Sequence, residues 1–179
     1  MKTRIFSAGI GLLLTACGGI TPPSAQQREA ARAALPPLIE GVAQSQRTKG
    51  RVIALRWDID DLVLTPERWS WREVEVIAES TERGAEAVTT EWTVSLNPAD
   101  LGDQVPASLS RQAWGLQMVC AEGGCITRSG TRTTILDGER TIEVLPEERV
   151  RRAEWLFEDY EVRDDAILLV KTALGYLPR

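Results

Sequence analysis

The sequence predicts an α+β fold: a curled antiparallel sheet of six or seven strands, with an N-terminal helical region and a long C-terminal helix. Three observations predict it. Apolar and polar residues alternate with period two through 53–59, 71–78 and 88–96, the spacing of strands. Turn-forming groups, Glu82-Arg83-Gly84 and Asp137-Gly138 among them, punctuate these runs at hairpin distance. Toward both ends the apolar spacing lengthens to that of a helix.

Taken in order, Ser24-Ala25-Gln26-Gln27 reads as a capping box ahead of the alanine-rich, helix-forming stretch 28–35. Pro36-Pro37 interrupts it. Leu38, Ile39, Val42 and Ala43 then form a second apolar stripe ending near Lys49-Gly50, which predicts one kinked helix. Ile53, Leu55, Trp57 and Ile59 make a strand face, Asp60-Asp61 opens a turn or bulge, and Thr65-Pro66-Glu67 closes the run. Residues 71–78, with Val74, Val76 and Ala78 on one face, form an antiparallel hairpin with 88–96. Two prolines and a glycine make 97–110 a surface loop. Trp114, Leu116, Met118 and Cys120 share a strand face, Glu122-Gly123-Gly124 turns the chain, and Cys125 begins the return. Ser129-Gly130 precedes a strand over 131–136, which pairs with 141–145. Pro146-Glu147-Glu148 starts the C-terminal helix, since proline suits the first turn and acids the N-terminus. Val150, Ala153, Phe157 and Tyr160 follow at helical spacing, and 166–170 either continues the helix or adds a last strand. In element order, and in its tryptophan-bearing strand before a Cys120–Cys125 hairpin, the domain resembles the pleckstrin-homology-like roll. A cone-shaped sheet of the nuclear-transport-factor kind is the alternative.

Ahead of the domain stand Lys2 and Arg4, an apolar run through Leu14, and Leu14-Thr15-Ala16-Cys17 followed by Gly18-Gly19. A basic start, a short apolar region and small residues before a cysteine resemble the lipobox of bacterial lipoproteins. The resemblance implies a signal peptide over 1–16, a lipidated tether over 17–23 and a single domain over 24–179. It also implies that Cys17 takes a diacylglyceryl thioether and an acylated α-amine, so that two or more chains anchor it durably. Gly18, in place of an aspartate, implies the outer membrane of the cell envelope, facing the periplasm. Cleavage there leaves 163 of the 179 residues, enough for one domain with a sizeable core.

The formal charge is −5, from 21 basic and 26 acidic residues. Loss of Lys2 and Arg4 makes the mature side chains −7, with 19 basic residues. Such a balance gives no general pull toward nucleic acid or anionic lipid, so membrane lipid is reached through the acylated Cys17. There is no histidine, which removes the commonest proton shuttle and a frequent zinc ligand. No catalytic set, metal site or cofactor fingerprint is expected. Asp58-Ile59-Asp60-Asp61 resembles the aspartate motif of haloacid-dehalogenase-type phosphatases, but Leu62 departs from it and no later lysine and acid pair completes it. Acids closing a strand are the expectation.

With Cys17 consumed by lipid, Cys120 and Cys125 are expected to form a disulfide in an oxidising compartment. Of the six tryptophans, Trp69 and Trp71 stand two apart and share a strand face. With Arg68 and Arg72 beside them they are the candidate interaction site, aromatic burial rimmed by arginine. The expected function is a membrane-anchored, non-enzymatic envelope lipoprotein that binds a protein partner or aids an assembly. The alternative is a carrier or sensor of a small apolar ligand.

Overall fold

Ser24 opens the first helix, α1 (Ala25–Ala34), by the expected capping box. Its Oγ accepts from the Gln27 N–H at 3.2 Å, and its own N–H donates to Gln27 Oε1 at 2.8 Å. Two backbone donors that a helix start leaves orphaned are thereby satisfied. The computed structural model describes residues 21–48, 52–81, 84–102, 107–109, 114–157 and 159–176. The signal-peptide segment, Cys17 and most of the tether lie outside the described residues. Among those described, no helix is long and apolar enough to cross a membrane.

Pro36 starts a one-turn helix, α2 (Pro36–Ile39), where its missing N–H costs nothing. The kinked helix expected beyond it is corrected. Glu40 is extended, Gly41 stands at φ +145°, and the chain enters strand β1 (Gly41–Thr48). Val42 and Ala43 sit opposite Asp58 and Trp57 of β2 (Val52–Leu64). Pairing along a neighbouring strand outweighs a four-residue apolar stripe too short to hold a helix alone.

β2 is followed by β3 (Trp69–Thr81) and β4 (Gly84–Leu96), the hairpin read from the sequence, longer at both ends. β7 (Ile126–Leu136) and β8 (Glu139–Val150) join them through the Asp137-Gly138 turn, where both residues have positive φ. The resulting antiparallel sheet has six strands in the order β1-β2-β3-β4-β7-β8. The expected bulge is present between Asp60 and Val63, with Asp61 at φ 54°. The Leu62 N–H beside that bulge donates to Glu40 Oε1 at 3.0 Å.

A single curled sheet is corrected as well. Short strands β5 (Ala107–Leu109), β6 (Trp114–Val119) and β9 (Arg152–Phe157) form a separate three-stranded sheet, order β5-β6-β9. Both sheets are open, and the element order behind the pleckstrin-homology-like resemblance changes accordingly. The segment read as the start of a helix at Pro146 belongs to β8 and β9. The C-terminal helix, α3 (Tyr160–Leu174), begins only after Asp159, whose Oδ1 accepts from the Glu161 N–H at 2.7 Å. Gly175, left-handed at φ 85°, closes it. Residues 166–170 therefore lie in this helix and not in a last strand.

The core lies at one end of the large sheet. Ile59, Trp69, Trp71, Val94, Leu96 and Ile126 from its inner face meet Leu116, Met118, Trp155 and Phe157 of the small sheet. Ala31, Leu35 and Ile39 of α1, α2 and their junction, and Ala166, Val170 and Ala173 of α3, complete it. α3 packs on α1 and against β6 and β9. The other end of the large sheet, toward Thr81 and Leu136, extends past this cover. With β2, β3 and β4 at 13 residues each, the sheet is about 40 Å long.

Cys120 and Cys125 are disulfide-bonded, as expected, with Cα atoms 5.7 Å apart. Their setting differs from the expected hairpin. β6 pairs with β9 and β7 with β4 and β8, so the bond spans the crossover from the small sheet to the large one. Cys120→Ser should cost about 2 kcal/mol, the chain-entropy value for so short a loop. The melting temperature should fall by about 4–8 °C, and reductant should reproduce the shift in wild type. Equal melting with and without reductant would show that the bond contributes no stability.

Candidate functional site

The four residues of the candidate interaction site do not form one surface. Trp69 and Trp71 share the inner face of β3, as their spacing requires, but are only 1% and 2% exposed. Their rings pack on Trp155, Trp69 stacked at 6.2 Å and Trp71 edge-on at 5.3 Å. Arg72 points to the opposite face, paired with Asp60 at 2.8 Å and Glu91 at 3.0 Å. Arg68 is exposed at the β2–β3 turn, where its backbone N–H donates to Thr65 Oγ1 at 2.9 Å. The exposed aromatic pair is thus corrected to a core pair: the small sheet covers that stretch of β3. Asp58 pairs with Arg56 at 3.3 Å, so Asp58 and Asp60 serve as ion-pair partners flanking the buried Ile59.

Farther along the same face, β3 carries Glu73 and Glu75. The register sets Glu73 against Trp92 of β4, and Glu75 against Trp57 of β2 on one side and Thr90 on the other. Opposed residues on a sheet face lie close enough to touch, so each carboxylate has an indole neighbour. Beyond Trp92 the chain needs Gly130, and the next pair down places Arg128 opposite Val94. Trp57, Glu73, Glu75, Trp92, Val94 and Arg128 line a half-open cleft of about 480 Å³ where the large sheet emerges from beneath the small one, together with Arg152 and Glu154 of β9.

Arg128 is held three ways. Its guanidinium carbon lies 4.4 Å from the Trp92 ring centroid, its Nε donates to Glu148 at 2.6 Å, and the ladder fixes its backbone. Cation–π contact and a charge-assisted hydrogen bond act together here. Arg132 pairs likewise with Glu143 at 3.4 Å. The acids of β8 thus engage both arginines.

Glu73 and Glu75 are left less compensated. Both are half-buried. The hydrogen bond to Glu73 comes from Trp71 Nε1 at a long 3.5 Å. Burial pushes the Glu73 carboxyl above its ordinary 4.5; the negative charges of Glu75 and Glu154 add to the rise, while Trp71 and Arg128 oppose it. Burial also raises Glu75, against the pull of Arg132 and Arg128. Desolvation without a full set of partners is the cause in both cases.

Sequence reasoning passed over this cleft although its signal was present. Trp69, Trp71, Glu73 and Glu75 continue one period-two series, so two carboxylates had to lie on the tryptophan face. A smaller groove, about 380 Å³, runs between α1 and the Thr65-Pro66 turn with Trp69 at its base. No family model, curated protein or solved structure matches this chain.

Proposed function

We propose that the chain is a membrane-anchored, non-enzymatic lipoprotein of the bacterial envelope, held to the outer membrane and facing the periplasm, whose domain binds a protein partner. The anchor rests on the residues around Cys17, and the oxidised Cys120–Cys125 pair suits an oxidising compartment. The observation that carries the binding reading is the uncovered half of the six-stranded sheet. On its outer face Ile135, Ile142 and Val144 are 43%, 59% and 76% exposed, beside an open edge at β8. Exposed apolar residues gathered on a sheet face mark a partner surface.

Length favours the same reading. Six residues separate Cys17 from Ser24, a reach of about 25 Å at full extension. Ala25 lies beside Thr65 and Pro98 at the core end of the sheet. A membrane anchor at Cys17 therefore keeps the core end near the bilayer and leaves the far sheet end free to meet a partner. The alternative, a carrier of a small apolar ligand, draws support from the cleft beside Trp92. The carboxylates and guanidinium groups in that cleft favour a polar occupant instead.

Cys17→Ser tests the anchor. Intact-mass analysis of wild type should find a chain of 163 residues beginning at an acylated Cys17, and the variant should lose the acyl mass and leave the membrane fraction. An unmodified Cys17 within the full precursor would defeat the anchor. In-cell crosslinking from position 142 tests the partner: a discrete crosslinked protein supports it, and no adduct other than solvent counts against it.

A further inference from the structure

We propose that the cleft formed by Trp57, Glu73, Glu75 and Trp92 receives a cationic side chain, the guanidinium or ammonium group of an arginine or lysine on a partner polypeptide. The inference rests on the partner reading above and assigns the chemistry of one contact.

Its first support is the alternation of indole and carboxylate across three strands, Trp57 beside Glu75 and Glu73 beside Trp92. An aromatic face attracts a cation through its quadrupole, and a carboxylate accepts its N–H groups. Three carboxylates, Glu73, Glu75 and Glu154, line the cleft against two guanidinium groups, Arg128 and Arg152, which favours a cation over an anion; with Arg128 over Trp92, the incoming cation is placed against Trp57. The chain's own Arg128 shows the mode, lying over Trp92 at 4.4 Å while donating to a carboxylate.

The second support is the unequal pairing of charge. Arg128 and Arg132 are drawn to Glu148 and Glu143 of the edge strand, which leaves Glu73 with one long hydrogen bond. A half-buried carboxylate in that condition gains more from an arriving cation than a solvated one does. Their raised titration ranges agree with this. The third support is long-range: a side-chain charge of −7 once Lys2 and Arg4 are removed, 19 basic against 26 acidic residues, draws a basic segment toward the domain.

The test uses the full chain and two synthetic decapeptides, one rich in arginine and lysine and one with citrulline and norleucine in their place. Tryptophan fluorescence should report saturable binding of the basic peptide alone. Glu73→Gln/Glu75→Gln should weaken it by about tenfold or more, as expected for lost charge-assisted hydrogen bonds. Binding should also weaken as the pH falls through the titration range of the two carboxyls, which burial raises above the ordinary 4.5. The groups facing them are Glu154 and Arg152 from β9, Arg128 and Arg132 from β7, and Trp71 beside them on β3.

Folding of the double variant is checked by its own sign. Each carboxyl titrates higher in the folded state, so wild-type stability falls as pH rises through that window. Glutamine removes this loss, and the variant should melt at or above wild type at about pH 8, with the gain vanishing in acid. Undiminished binding by this variant, no binding of the basic peptide, or tighter binding of an acidic peptide would each overturn the cleft assignment. Crosslinks from position 142 that persist in the variant alongside unchanged peptide affinity would remove the cleft and leave the partner reading standing. Absence of both crosslinks and peptide binding would remove both.

Discussion

Trp155→Ala should lower stability by about 4 kcal/mol, in the range for removing a buried aromatic, and the melting temperature by about 8–16 °C. Trp155 is fully buried on β9, between the stacked ring of Trp69 and the edge of Trp71. These three rings are the seam between the two sheets, and neither α1 nor α3 replaces the lost volume without moving. The deletion removes both transfer energy and the ring pairs, which add about 0.5–1.5 kcal/mol each beyond area. Trp71→Ala should behave similarly, because its ring is a seam member. Thermal unfolding followed in the near-ultraviolet would read the loss of packed indoles directly, and Trp155→Phe should retain most of the stability. A melting temperature within about 3 °C of wild type for Trp155→Ala would mean that the seam does not hold the sheets together.

The same residue explains where the sequence misleads. Ala153 and Phe157 stand four apart, a spacing that a helix and a strand both place on one face. Trp155 between them decides the matter: on a strand it joins their face, on a helix it turns away. The structure buries Trp155 and Phe157 together. Pro146 misled for a related reason. It suits the first turn of a helix, but it also suits an edge strand at a bulge. β8 is such an edge, and its register jumps between Leu145 and Glu148 opposite Gly130 and Arg128.

Local chemistry was legible wherever the partner lies close in sequence. Ser24 and Gln27, Asp137 and Gly138, the two strands 71–78 and 88–96, and Cys120 with Cys125 all read correctly. The pairing of Trp114 with Phe157 was not legible, because no local pattern records a partner so far along the chain. Alternation likewise separates two faces without saying which is covered. Val74, Val76 and Ala78 share one face of β3, and the small sheet packs on the tryptophan face opposite. Glu73 and Glu75 lie on that tryptophan face, and no local pattern tells that its cover ends beside them.

Gly130→Ala should be the most damaging single methyl in the large sheet, costing about 3 kcal/mol and about 6–12 °C in melting temperature. A Cβ built at Gly130 lies 1.9 Å from the Glu91 carbonyl oxygen, 2.9 Å from its carbon and 3.2 Å from Trp92 Cα. All three are backbone atoms of β4, so no rotamer change relieves the contact and the two strands must separate. In the sequence Ser129-Gly130 reads as a break before a strand; in the fold β7 runs straight through it, and the glycine marks close backbone approach instead. The displacement would also shift Trp92, directly opposite, and with it the ring beneath Arg128. Gly130→Ala should therefore weaken basic-peptide binding as well as stability. Gly102→Ala is the control, because its nearest contact is an ordinary 3.6 Å, and it should melt close to wild type. Equal melting of the two variants would show that β4 and β7 do not approach this closely at Gly130.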